Sequence, residues 1–304
     1  MIESIFIEGL IYGIMVLGVF ITFRILDFPD LTVDGSFPLG AAIMTVMIVN
    51  GYNLLIALAI AFAGGILAGV ITALIHNHLK VPNLLAGILT MTMLYSINIR
   101  VLGNRANVPI LKNTTILTTI ESLFKGIIPE EYAILIFFIA LTILIKILMD
   151  IFFHTDLGLV LRAMGNNQQM VLNQGINPNL LKVIGVGLSN GLVALAGAFA
   201  AQYQGFADVS LGQGVIIAGL ASVMIGEVII PSKNIYIITL RVIIGSIIYK
   251  GIMYLGRYYG YYINMTPNDL KLITGLLIIV SLYLTNFNKL KKLSFFGKNK
   301  SIIK

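Results

Sequence analysis

The chain has 304 residues, of which 58% are hydrophobic and 11% charged. A soluble domain carries roughly 25% charged residues, so too little polar surface remains here to cover a soluble globule. The net charge of +7 is gathered at the C-terminus, which points to anionic lipid rather than nucleic acid, and the absence of cysteine excludes disulfide scaffolds, thiolate zinc sites and cysteine nucleophiles.

Long unbroken apolar runs point to an all-α polytopic membrane protein rather than a barrel of short alternating segments. A bilayer core takes about 20 apolar residues per helix, and on that measure the chain holds about eight to ten membrane-spanning helices. The N-terminus carries Glu3 and Glu8 rather than a basic leader, so the first span, residues 5–24, is expected to be retained.

Residues 26–42 follow, with Asp27, Asp30 and Asp34, the hydroxyls of Thr32 and Ser36, two prolines (Pro29, Pro38) and two glycines (Gly35, Gly40). Carboxylates beside the hydrocarbon are costly and mark function. Pro29 and Pro38 are expected to break any helix there. Broken backbone at membrane depth survives only where protein buries it or where it lines a wet cavity. The stretch therefore reads as an interrupted helix, near residues 27–40, beside a solute pathway. An interfacial loop with helix-capping acids is the alternative.

Span two is expected over 36–50 and span three over 54–75, where Gly65 and Gly69 have the spacing of close helix packing. His76 and His78 are two apart and would not share a helix face, so they read as interfacial residues and no metal site is expected. Span four, 84–102, is unusually polar, with Thr90, Thr92, Tyr95, Ser96, Asn98 and Arg100. A long connection over 103–131 includes a short interfacial helix near 116–127. In span five, 132–153, Lys146 and Asp150 lie where long side chains snorkel to the interface.

Residues 154–182 are polar again. Leu157, Leu161, Met164, Val171 and Leu172 alternate with Arg162, Gly165, Asn166, Asn167 and Gln168, the pattern of a short amphipathic helix on the membrane surface. A solvated loop without a partner is the alternative. Span six, 183–202, carries Gly187 and Gly191 with Ser189 and Asn190, read as tight helix packing. Spans seven and eight, 215–230 and 235–255, bring Glu227 and Arg241 to either side of a turn, where they are expected to pair. An aromatic belt with a polar loop, 256–269, precedes span nine, 270–285. The tail, 286–304, holds lysines and no acids and should be cytoplasmic, which also puts 154–182 inside and the N-terminus outside.

Nucleotide-cradling, metalloprotease and esterase motifs are absent, so no catalytic residues are expected and the chain does not read as an enzyme. A transporter of this shape needs an external energy source or a downhill gradient.

Gly158, Arg162 and Ala163, with Gly175-Ile176-Asn177, resemble the coupling segment of permeases in ATP-binding cassette importers of the branched-chain amino-acid and ribose type. Residues 12–42 resemble the first span and interrupted second helix of the same family. The wording of 30–37, 87–103 and 221–229 is similar to the subgroup that pairs with tryptophan/tyrosine-type substrate-binding lipoproteins. The resemblance covers roughly residues 12–284.

It implies a single transmembrane permease domain over 1–304, in the cell membrane, that works as one of two identical copies. Two separate ATPase subunits, which carry ATP and magnesium, would dock on 155–182 through Gly158, Arg162, Ala163, Gly165, Asn166, Gly175, Ile176 and Asn177. This chain would hold no cofactor, and an external lipoprotein would deliver the solute. Sugar-type relatives have a shorter acidic motif at the interruption. Three acids here, with Thr90, Thr92, Tyr95 and Asn98 as further polar wall beside Asp27, Asp30, Thr32, Asp34 and Ser36, favour an amino acid or related small zwitterion, and the resemblance to the tryptophan/tyrosine-type subgroup implies an aromatic one. A stand-alone secondary transporter or channel is the alternative; it predicts an inverted repeat, and none is clear.

Overall fold

The computed structural model describes residues 2–111, 113–126, 129–260, 272–280 and 283. Helix α1 (Ile2–Phe20) runs on through one π turn (Ile21–Ile25), and α2 (Val33–Val49), α3 (Leu54–Leu79) and α4 (Asn83–Val101) follow. After strand β1 (Asn107–Pro109) come α5 (Ile116–Phe124), α6 (Glu130–His154), α7 (Asp156–Asn166), α8 (Gln168–Asn173) and α9 (Pro178–Gln204). Strand β2 (Phe206–Asp208) and a 3-10 turn (Val209–Gly212) lead into α10 (Val215–Ile229) and α11 (Ile235–Gly260). Residues 272–280 are helical.

Among the described residues, seven helices are long and apolar enough to cross a membrane, and α2 is apolar but shorter. With residues 272–280 as part of the ninth expected span, these account for the eight to ten spans read from sequence. The loop at 261–269 and the tail at 286–304 lie outside the described residues.

Helices α1 and α9 form the centre: 78% of each apolar window is buried, against 28% for α3, α4 and α6, which form the outer wall. Small residues let the backbones close on α9. A Cβ on Gly65 or Gly69 of α3 would lie 2.3 Å from the carbonyl of Asn190 or Val186, as their spacing predicted. A Cβ on Gly40 of α2 would lie 1.8 Å from the Ala194 carbonyl, and one on Gly18 of α1 would lie 2.6 Å from that of Ser189. Beside α1, Ser246 of α11 donates to the Gly9 carbonyl at 2.7 Å.

The helix pair α7–α8 marks one end of the bundle. Strands β1 and β2 mark the other and pair antiparallel, Val108 opposite Ala207. Three-residue strands leave no alternation to read, so an all-α reading passes over them. In this ribbon burial alone would raise the Asp208 carboxyl, but Ser210 and the Asn107 amide donate to it and hold it below the usual carboxylate range. The expected short helix near 116–127 is α5, closed by a reciprocal Thr115–Thr118 capping box.

Two expectations need correction. Pro38 does not break a helix; it stands in the second turn of α2. Its ring costs the Asp34 carbonyl an N–H partner. Gly212 fills that side, where a Cβ would lie 1.8 Å from the Asp34 oxygen and 2.8 Å from the Pro38 ring. The real interruption is residues 26–32. Asp150 does not snorkel either: it is buried, paired with Lys146, and accepts from Thr239 of α11 at 2.7 Å.

Candidate functional site

The interruption begins where α1 loosens into its π turn: Leu26 N–H bonds the Ile21 carbonyl at 3.0 Å and Phe28 N–H that of Thr22 at 2.8 Å. Asp27 takes a left-handed φ of +51°, a conformation that Asp tolerates better than most residues, and Pro29 prevents resumption of the helix. The chain then turns back into α2, and Asp30 organises the turn. Its Oδ1 accepts from the Thr32 N–H at 2.9 Å and its Oδ2 from Asn190 Nδ2 of α9 at 2.7 Å.

Ser36 Oγ lies within bonding reach of both Asn190 Oδ1 and the Thr32 carbonyl, so its single proton serves one of them at a time. Thr32 Oγ1 meets Thr72 Oγ1 of α3 at 2.7 Å, and Thr72 donates to the Ala68 carbonyl. Asp30 is 2% exposed, and Thr32, Ser36, Thr72 and Asn190 are fully buried. Helix α4 closes over the break at Gly87, whose missing Cβ would lie 2.7 Å from the Leu31 nitrogen. The break is thus buried by protein at Leu26, Phe28, Asp30 and Thr32, with Asp27 and Pro29 left exposed, and the five polar side chains tie it to α3 and α9.

The other sequence candidates separate from this group. Asp34 accepts from the N–H groups of Gly214 and Ile216 at 3.1 and 2.8 Å and caps α10, where a carboxylate complements the helix dipole. Asn98 donates to the Gly35 carbonyl at 3.1 Å, and its own Oδ1 is unpartnered among the described residues. Thr90 is buried against the Ala86 carbonyl. Asp27, Thr92 and Tyr95 are exposed on the outer surface of this single chain. Asn190 and Thr72 complete the buried group: Asn190, read from sequence as helix packing, holds Asp30 instead, and Thr72 gives no sequence signal of its own.

The segment over 155–182, expected as one amphipathic helix, forms two, α7 and α8. Thr155 caps α7 by accepting from Gly158 N–H, Asn167 caps α8, and Asn177 caps α9. Gly175 makes the turn after α8 with φ +77°. Leu161, Met164 and Val171 face inward, with Arg162, Ala163 and Ile176 half-buried, while Leu157, Leu159, Asn166, Met170 and Leu172 are exposed. Gly158 packs on Phe152, and a Cβ on Gly165 would lie 1.8 Å from the Ile25 carbonyl. The segment therefore seats directly on the last residue of the π turn. Nearby, Glu227 accepts from Arg24 Nε at 2.6 Å and from Arg241 at 3.1 Å, so the expected Glu227–Arg241 pair forms and gains a third member.

Among the described residues no group of three or more His, Cys, Asp or Glu could hold a metal. A bundle of membrane-crossing helices, a buried break at its centre and an amphipathic helix pair set against that break define a membrane transport permease. The chain belongs to the family described as branched-chain amino acid transport system, permease component, whose model matches residues 1–282. It is the permease subunit of an ATP-binding cassette transport system.

A tyrosine transport system permease protein of Clostridioides difficile (strain R20291) is 40% identical over 96% of this chain and 94% of its own length. An uncharacterised protein of Rickettsia prowazekii (strain Madrid E) is 33% identical over 90% of this chain and 94% of its own. Among solved structures, PsaBC from Streptococcus pneumoniae in complex with a Fab shares the fold, with a TM-score of 0.53 at 15% identity, covering 94% of each chain.

Proposed function

We propose that the chain is the importing permease for an aromatic amino acid, tyrosine foremost, and that it works as a homodimer in the plasma membrane. Two ATPase subunits bind ATP and magnesium and dock on the exposed side of α7–α8, which faces the cytoplasm with the C-terminal tail. This chain is non-catalytic and carries no cofactor. An external lipoprotein delivers the solute at the end bearing β1 and β2. Membrane lipid surrounds the outer helices, and nucleic acid is no partner.

The observation that carries this reading is the seat of Gly165 on the Ile25 carbonyl. Docking motions of α7 have no cushion of side chain to absorb them; they reach the π turn at once and, through it, the break at 26–32. Arg162, Asn166 and the caps at Thr155, Asn167 and Asn177 keep the segment rigid or meet the ATPase. Asp30, Thr32 and Ser36 enter the pathway when their network with Asn190 and Thr72 opens. Similarity to the tyrosine permease supports the substrate.

The test is uptake of labelled tyrosine by vesicles holding the chain, its ATPase and its binding protein. ATP-dependent uptake is expected. Gly165→Val should lose at least about tenfold of the uptake, a barrier change of ~1.4 kcal/mol, while the ATPase still co-purifies. Wild-type uptake by that variant overturns the coupling path. Uptake by the lone chain without ATP makes it a secondary transporter.

A further inference from the structure

Apart from the break, the structure holds a half-open cavity of about 490 Å³ at the end opposite α7–α8. It lies among the first half of α1, the start of α10 and the second half of α11, with Thr274 of the helical stretch 272–280 on its wall, 3.3 Å from the Tyr249 hydroxyl. Ser4 to Tyr12 of α1 line its depth, a rise of about 12 Å along a helix. None of the residues singled out from sequence as substrate pathway lines it.

Its wall carries an unusual set of groups for a membrane bundle. Lys250 of α11 reaches across to Glu8 of α1 at 3.0 Å, and its ammonium sits 3.4 Å from the centre of the Tyr12 ring. The Lys250 side chain is 15% exposed while that of Glu8 is 44% exposed. Arg257 stands one helical step beyond Tyr254 on the same wall, exposed at the mouth, and makes no ion pair among the described residues. Tyr249 and Tyr254 complete an aromatic lining. Ionisable side chains inside a membrane bundle mark solute pathways by default, because their burial is costly.

We infer that this cavity is the permease's own binding site for an aromatic amino-acid zwitterion, entered from the side away from α7–α8. The inference rests on the importer reading above and names the place where that substrate first leaves its binding protein. The free side of Glu8 takes the substrate ammonium, the arrangement in which a carboxylate is already half in water. Arg257, whose planar fork matches a carboxylate, takes the carboxylate borne on the same carbon. The ring lies among Tyr12, Tyr249 and Tyr254, where offset or edge contacts between aromatics are favourable. The N-terminus of α10 opens toward the cavity at Gly214, but Asp34 already caps it, so the anion falls to Arg257 instead.

The chain has no cysteine, which makes the test direct. Ser4→Cys places one thiol on the cavity wall, and Ser122→Cys places one on exposed α5 as a control. Both are made in the full complex in lipid nanodiscs, and maleimide labelling rates are measured with and without L-tyrosine. At tyrosine about ten times its dissociation constant, labelling at position 4 should slow about tenfold, since only empty sites react, and labelling at position 122 should not change.

Adding Arg257→Gln should raise the tyrosine needed for half-protection about tenfold, the loss of one charge-assisted contact. Unchanged labelling at position 4 overturns the site. So does protection by phosphatidylethanolamine in the disc with none from tyrosine, which would make the cavity a lipid headgroup seat. Uptake is read in parallel on the unsubstituted complex. Uptake without protection sinks the cavity alone; absence of ATP-driven tyrosine uptake sinks the importer reading itself.

Discussion

At the scale of single residues, the buried carboxylate of Asp30 is the sharpest feature of the chain. A carboxyl group out of water needs its partners in place, and here they include the Thr32 N–H and the Asn190 amide. Asn190→Ala removes the amide that α9 donates to Asp30, leaving only Thr32 of its own turn to hold the carboxyl. A hydrogen bond to a charged group contributes about 1.5–3 kcal/mol, so the variant should unfold at a clearly lower temperature in detergent. Asp30→Asn in the same background removes the stranded charge and should recover part of the loss. If Asn190→Ala melts with the wild type, the network does not hold the break. Sequence showed Asp30, Thr32 and Ser36 as a group because three polar types crowd one apolar stretch. It could not pair them with Thr72 and Asn190, which are 40 and 154 residues away from their partners Thr32 and Ser36. Nor could it part Asp34 from Asp30, since only the fold puts Asp34 at the start of α10.

At the scale of elements, hydrophobic length gave the helices their places, and small residues gave two contacts in advance. Gly65 and Gly69 read as packing residues and do pack on α9. Gly40 and Gly165 sat in stretches rich in other signals, and nothing in one sequence says which backbone will press on a glycine. The break itself was legible, but its edge was not: Pro38 could have ended a helix, and it was Gly212, far along the chain, that made the proline tolerable. A contrast of two glycines tests this packing. Gly40→Ala puts a Cβ 1.8 Å from the Ala194 carbonyl, so α2 and α9 must part, at a cost of the order of 1–3 kcal/mol for overpacking. Gly275→Ala in the helical stretch 272–280 meets nothing within 4 Å. Thermal stability by fluorescence-detected gel filtration should fall for the first and hold for the second. Equal midpoints would mean that α2 and α9 have slack that the contacts do not show.

At the scale of the whole molecule, α1 is held to α11 by a direct ion pair at one end, through a carboxylate of α10 at the other, and by close backbone between them. Lys250–Glu8 fastens the end with the cavity. Arg24, Glu227 and Arg241 fasten the end with α7–α8 and bring in α10. The sequence offered Glu227 and Arg241 as neighbours across a short turn; Arg24 lies 203 residues from Glu227 and needed the fold to join them. One carboxylate between two guanidiniums makes the cluster asymmetric, and that fixes an order of effects. Glu227→Gln leaves two positive groups facing each other with only the exposed Asp27 near Arg24 to answer them, so it should lower the melting midpoint more than the triple change of Arg24, Glu227 and Arg241 to Gln, which removes the facing cations as well. Because Arg24 is 45% exposed, part of its charge is answered by water, and Arg24→Gln alone should be the mildest of the set. If Glu227→Gln is no worse than the triple variant, the cluster is a surface ornament and α1 is positioned by packing alone. If the order holds, the end of α1 that Gly165 of α7 presses on is also the end clamped to α10 and α11, and any displacement of α7 toward it must either break that clamp or move the three helices together.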